Sequence, residues 1–184
     1  MKRGAQSVPM TAWQSQFEAL RARMTGPGLP PPDTPYRLNG LQILQGIIDG
    51  TLPFPPISQT LDFYLIEAER GRAVFQGNPA FAHYNPIGTV HGGYHATLLD
   101  SAMACAAQTL TEPGYAYTTL EFKVHCVRPL TAKIGPVRAE GRIVAGGKRV
   151  ATAEGRLVDE AGNVYSHGTT TCLFFELPPQ PAAR

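Results

Sequence analysis

The chain has few cysteines, little charge and no long apolar run. Its three cysteines, Cys105, Cys126 and Cys172, are scattered over 184 residues. So small, odd and widely spaced a set does not make a disulfide framework, and no CxxC or Cys/His spacing suits zinc. Small apolar neighbours surround each one, so they read as buried free thiols of a reducing compartment. Charged residues make up 16% and the net charge is +2, with no basic block of five or more. That balance argues against a nucleic-acid partner. Nowhere do the roughly 20 consecutive apolar residues of a membrane-spanning helix occur. The start, Met1-Lys2-Arg3, is basic, but no apolar stretch follows it as in a secretory signal. The expectation is a cytoplasmic protein with no membrane partner. The chain also lacks a G-x-S-x-G elbow, a G-x-G-x-x-G turn and a Walker lysine, which argues against serine-elbow, dinucleotide and P-loop chemistry.

What is present is apolar material, 43% of residues, enough for one core. Residues 10–24 carry Trp13, Phe17, Leu20 and Met24 at helical spacing. A Pro/Gly-rich stretch over 26–35 then reads as a linker. A second helical pattern runs over 39–49, with Gly50 placed to cap it. Pro53, Pro55 and Pro56 break the chain again. Residues 1–57 therefore read as a helical extension without a core of its own, packed on the main body or on a partner subunit. From residue 58 the texture changes. Residues 61–68 and 73–77 read as two strands, and 78–91 as a loop. Residues 93–110 form the longest helical pattern, with a stripe of small apolar side chains. Four strands follow, over 117–127, 135–144, 149–158 and 164–176, separated by turn signals that favour an antiparallel meander. The fold class is α+β, with one long helix lying across one antiparallel sheet. The main domain spans 58–177, and a Pro-rich tail covers 178–184.

The chemistry concentrates in residues 85–100, NPIGTVHGGYHATLLD. Gly92 and Gly93 open the long helix. Lacking a Cβ, they let a ligand approach the backbone. The first amides of a helix have no internal acceptor and sit at its positive end, which suits a developing oxyanion. A tight entry turn would need the same glycines. Asp100 lies mid-helix among Leu, Ala and Met, either on an exposed face or facing a pocket as base or nucleophile. Gly92 and Asp100 are eight positions apart, roughly 12 Å along the axis. One Asp side chain cannot span that gap, so both can act on one carbon only if a two-fold dimer pairs Gly92 of one subunit with Asp100 of the other. His91 and His95 have the i, i+4 spacing of a metal pair, but Gly92 stands where metalloproteases have Glu, and no metal site is expected. His91 reads instead as a group hydrogen-bonding the loop. His83, His125 and His167 are isolated and read as surface or satisfied strand positions. Thr118 and Thr119 lie in a strand expected beside the helix, where a hydroxyl could position water. Arg128, Arg138, Lys148 and Arg149 sit at strand ends and turns, as solvated surface or as contacts to a nucleotide's phosphates. Phe81, Tyr84 and Tyr94 could line an apolar pocket.

Asn85, His91-Gly92-Gly93 and Asp100, with a later strand ending in Arg128-Pro129, resemble the hotdog-fold acyl-CoA thioesterases of the phenylacetate-degradation (PaaI) type. The resemblance covers about 58–177. It implies a sheet wrapped around one central helix and hydrolysis of an aryl- or medium-chain acyl-CoA to free acid and coenzyme A. It implies no cofactor beyond coenzyme A as part of the substrate. Carried over by position, it makes Gly92 the backbone donor to the thioester carbonyl and Asn85 the group that polarises or positions that carbonyl. Asp100 of the neighbouring subunit becomes the base or nucleophile, and Thr119, or Thr118 in a shifted register, orients the water. His91 supports the turn. Independently of the resemblance, Gly93, Tyr94, Thr118, Arg128, Lys148 and Arg149 are expected to contact substrate. The resemblance further implies homodimers that pair into homotetramers. Two alternatives use the same fold. Tyr84-Asn85-Pro86-Ile87 faintly resembles an enoyl-thioester hydratase signature, with Gly88 where that signature has His. A non-catalytic acyl-CoA-binding module would typically lose the carboxylate that Asp100 supplies.

Overall fold

Proline starts helices in this chain as well as ending them. Residues 10–179 are described in the computed structural model; Met1-Lys2-Arg3 and residues 180–184 of the Pro-rich tail lie outside them. Helix α1 (Ala12–Arg21) opens on a capping box made by Thr11 and Gln14. The expected linker contains the short helix α2 (Thr34–Arg37), with Pro35 in its first turn. Helix α3 (Gly40–Asp49) has a second capping box, Asn39 with Gln42, and ends on Gly50 at φ 75°. Helix α4 (Pro56–Leu61) begins on proline and ends at Asp62, φ 48°. The fixed φ of proline is already helical, and its missing N–H is one that a first turn leaves unpaired anyway. The first strand therefore starts after Asp62, not at Leu61 as expected: β1 (Phe63–Glu69) and β2 (Arg72–Gly77) form a hairpin.

The long helix is α5 (Gly92–Gln108), and four strands follow: β3 (Tyr115–Cys126), β4 (Val137–Gly146), β5 (Val150–Asp159) and β6 (Val164–Glu176). The sheet is antiparallel throughout its pairings, in the order β1-β2-β4-β5-β6-β3. This is the α+β sheet around one central helix that the sequence predicts. It is not a simple meander. β3 pairs with β6 at the far edge, and the chain crosses back to β4 through residues 127–136. Leu130 anchors that crossing and is fully buried.

Alternation along β1 divides two cores. Phe63 and Leu65 face α5, together with Leu98, Leu99, Ala102 and Met103. Tyr64 and Ile66 face the other way, onto Phe17 and Leu20 of α1 and onto Phe54. A period of two puts successive side chains on opposite faces, and here both faces are covered. The Arg138 guanidinium lies 4.2 Å from the Trp13 ring centroid and also donates to Gln16 at 2.8 Å, holding α1 on the sheet. The cysteines are free thiols; Cys172 is buried, but Cys126 is exposed near the end of β3 rather than buried as expected.

Close approach of α5 to the sheet depends on glycine in β4. A Cβ built on Gly141 would overlap the Ala102 carbonyl and the Met103 amide, both helix backbone that cannot move aside. Gly141→Ala is expected to cost about 1–3 kcal/mol by overpacking. Thermal denaturation checks this: an unchanged Tm would mean that the helix does not sit this close.

Candidate active site

The loop before α5 is stitched so that the helix begins in one place. The Asn85 amide donates to the Thr89 carbonyl at 2.8 Å, that of Val90 to Leu130 at 2.9 Å, and that of His91 to His83 at 2.8 Å. His91 is the N-cap of α5. Its Nδ1 accepts from the Gly93 amide at 2.8 Å. That bond consumes one of the helix's first N–H groups, and the Gly92 N–H has no acceptor among the described residues. Gly92 is exposed and opens into a cavity of about 300 Å³ shared with Asn85, Thr89, His95 and Arg128. The free amide lies at the positive helix end, where an anion would be stabilised.

The Asn85 carboxamide is partly committed to its own loop. Its Oδ1 accepts from the amides of Ile87 and Thr89 at 3.1 and 3.2 Å, and its Nδ2 donates to Thr89 Oγ1 at 3.0 Å. Thr89 carries no distinctive sequence signal. Gly88 takes φ 84° at an open turn, where the hydratase signature has its histidine. His95 is buried, with Nδ1 3.1 Å from Ser166 Oγ; burial pushes its pKa down and keeps it neutral. Arg128 is exposed on the same cavity, 5.8 Å from the Tyr165 ring centroid.

Asp100 lies elsewhere. Two turns further along α5, it faces a second cavity of about 390 Å³ shared with Thr118 and Thr119 of β3. Of the two threonines, Thr119 holds it, donating from Oγ1 to Asp100 Oδ1 at 3.0 Å. Burial raises the Asp100 pKa above the ordinary carboxylate range, and the Thr119 hydrogen bond offsets part of that rise. No cation pairs with Asp100 among the described residues. Within one chain, then, Asn85, Gly92 and Arg128 come together, and Asp100, Thr118 and Thr119 come together, but the two groups do not meet.

Other expected contacts fall outside both cavities. Tyr94 is buried in the main core, its ring stacked on His83 at 4.5 Å. Tyr84 turns its hydroxyl to accept from the Ala132 amide at 2.9 Å, and Phe81 stands in solvent. Lys148 and Arg149 are exposed in the β4–β5 turn. The neighbouring Gly146 lies against Leu110, past the C-terminal end of α5 and away from Gly92. The walls of the Asp100 cavity include Pro55 and Ile57, which sequence reasoning missed because both lie in a proline-rich break with no periodic pattern. Phe63 and Phe75 also line it; their strands are legible in the sequence, their place beside Asp100 is not.

The model of the thioesterase superfamily matches residues 87–166, from the glycine loop into β6. No curated protein gives a significant sequence match. Among solved structures, a putative thioesterase from Ralstonia eutropha, related to phenylacetic acid degradation, is 26% identical; the match covers 71% of this chain and 98% of that one, with a TM-score of 0.65. A thioesterase family protein from Silicibacter pomeroyi is 26% identical over 66% of this chain and 90% of its own, with a TM-score of 0.61. A mutant of the phenylacetic acid degradation protein PaaI from Thermus thermophilus is 30% identical over 64% of this chain and 97% of its own, with a TM-score of 0.58. The shared sheet-and-helix architecture and the near-complete coverage of the PaaI protein place this chain in the hotdog-fold thioesterase superfamily, as a member of the PaaI type.

Proposed function

We propose that the protein hydrolyses an aryl- or medium-chain acyl-CoA to the free acid and coenzyme A, at a site shared between two subunits. Coenzyme A enters as part of the substrate. The observation that carries this reading is Gly92. A Cβ there would meet only Cys126 Sγ, at 3.9 Å, and its φ is not in the left-handed region. Nothing among the described residues requires a glycine at that position, and glycine is a poorer helix residue than alanine. A glycine there leaves the amide open to a group from outside the chain, as when a thioester carbonyl is laid against it.

Asp100 supplies the second half. Its carboxylate costs stability where it is, half-buried and without a cation, and that arrangement suits a base better than a structural group. A pKa above the ordinary range makes it a stronger base at neutral pH. Thr119 donates to one carboxylate oxygen, which leaves the other for a water and leaves the hydroxyl oxygen free to accept from it. The carboxylate takes a proton as the water attacks, or it attacks the carbonyl itself to form an anhydride that water then hydrolyses to the free acid. The oxyanion collects on Gly92 N–H with Asn85 beside it, and the thiolate of coenzyme A departs. Arg128 suits a phosphate of the leaving group. Eight helical positions separate the halves, about 12 Å, so the second half comes from a partner. The outer edge of β3 has no neighbouring strand among the described residues and exposes Leu120 and Phe122 beside Thr119. Such an edge favours two-fold pairing.

Gly92→Ala is expected to keep or raise Tm while lowering turnover of phenylacetyl-CoA at least tenfold, followed by free-thiol release. Turnover within twofold of the parent would remove Gly92 from the site.

Asp100→Asn is expected to abolish turnover while stabilising the fold. A carboxyl with a raised folded pKa contributes stability in acid that is lost as pH rises through that pKa. The Tm advantage of the Asn variant should therefore be near zero in acid and largest at neutral pH. The parent's turnover should fall in acid with a midpoint above about 3.9. A Tm difference independent of pH would show that the carboxylate is not desolvated.

Mixing the two impaired variants tests the shared site. Random exchange makes half of the dimers mixed, each with one intact site, so about a quarter of the parent activity should return. No recovery after demonstrated subunit exchange would place both groups in one chain.

A further inference from the structure

We infer that Ile57, on the N-terminal extension, sets which acyl groups the site accepts. This rests on the proposed thioesterase reading. The cavity holding Asp100 joins the Asp100–Thr119 pair to apolar walls from Pro55, Ile57, Phe63 and Phe75, with Ser58, Ser101 and Tyr117 also lining it. A thioester whose carbonyl reaches Asp100 must put its acyl group against those apolar walls. Phe63 and Phe75 form one wall, their rings 5.7 Å apart and tilted by 42°. Both rings are buried in the main core, so this wall does not yield to a longer chain.

The remaining wall differs in kind. Pro55 and Ile57 come from the start of α4, a helix of six residues begun by Pro56 and ended by the left-handed Asp62. Ile57 is half-exposed, 48%, while Phe63 and Phe75 are 1% and 5%. A change at Phe63 or Phe75 alters the core. A change at Ile57 alters the chamber and leaves the core intact. Position 57 is therefore where acyl size can be set independently of folding.

Ile57→Phe and Ile57→Ala test this, with Leu29→Ala as a control on an exposed extension residue outside the cavity. Tm is measured for each. Free-thiol release is followed with acetyl-, phenylacetyl- and dodecanoyl-CoA. Binding is measured separately, with non-hydrolysable thioether analogues of the same three. Ile57→Phe should lower kcat/KM for phenylacetyl-CoA at least tenfold relative to acetyl-CoA. Ile57→Ala should raise dodecanoyl-CoA relative to phenylacetyl-CoA at least fivefold. Leu29→Ala should change neither ratio. Analogue affinities should shift in the same order. Parental turnover with unmoved ratios in both Ile57 variants would overturn the inference and leave the thioesterase reading standing. Analogue binding that shifts as expected, without turnover by any variant, would support the inference and overturn the hydrolytic reading. Failure of every thioester and analogue to bind would overturn both.

Discussion

The site depends on how closely one helix can lie against a sheet. Gly141 in β4 lets the α5 backbone come to contact at Ala102 and Met103, and the small side chains of the helix make the approach possible along much of its length. Once the helix is seated, the places of Gly92 and Asp100 follow from its rise. A rigid rod holds one group at its first residue and the other two turns further on. No loop movement shortens that interval. The separation of the two groups into two cavities is thus a result of packing, and on the proposed reading an isolated chain carries two half-sites.

The parts of this arrangement that announce themselves in sequence do so through costs. Two glycines at a helix start and a carboxylate in a run of Leu, Ala and Met are each unfavourable locally, so their residue types carry information. His91 is legible for a related reason, since a polar residue just before the first helical turn is a capping position. Strand order is different. Turn signals between β4, β5 and β6 are local, and their pairing is as expected. β3 reaches the opposite edge because α5 and the buried Leu130 crossing place it there, and no periodicity encodes that choice. Basic residues in turns are similarly silent. Arg128 meets the Gly92 cavity, Arg138 holds Trp13, and Lys148 and Arg149 touch neither cavity, yet all four look alike in one dimension.

Proline misleads in a specific way. Breaks at Pro35 and Pro56 suggest irregular chain, whereas each proline sits in the first turn of a short helix, where its fixed φ helps. The second of these helices brings Ile57 to the Asp100 cavity. The first long helix of the extension covers the outer face of β1 and β2 through Phe17 and Leu20, so these strands lie between two apolar layers. Residues 1–57 contain no second domain of their own in the described part, but they complete the first.

The two outermost strands of the sheet differ in what they expose. The faces of β1 are covered by α5 and the extension, whereas β3 presents Leu120 and Phe122 and a backbone edge unpaired among the described residues. An edge of this kind is a template for adding strands. Paired two-fold with another β3, the template is used up and growth stops at two chains; joined head to tail, it would propagate. On the proposed pairing, dilution below the pairing concentration therefore brings an aggregation risk along with the loss of a neighbour.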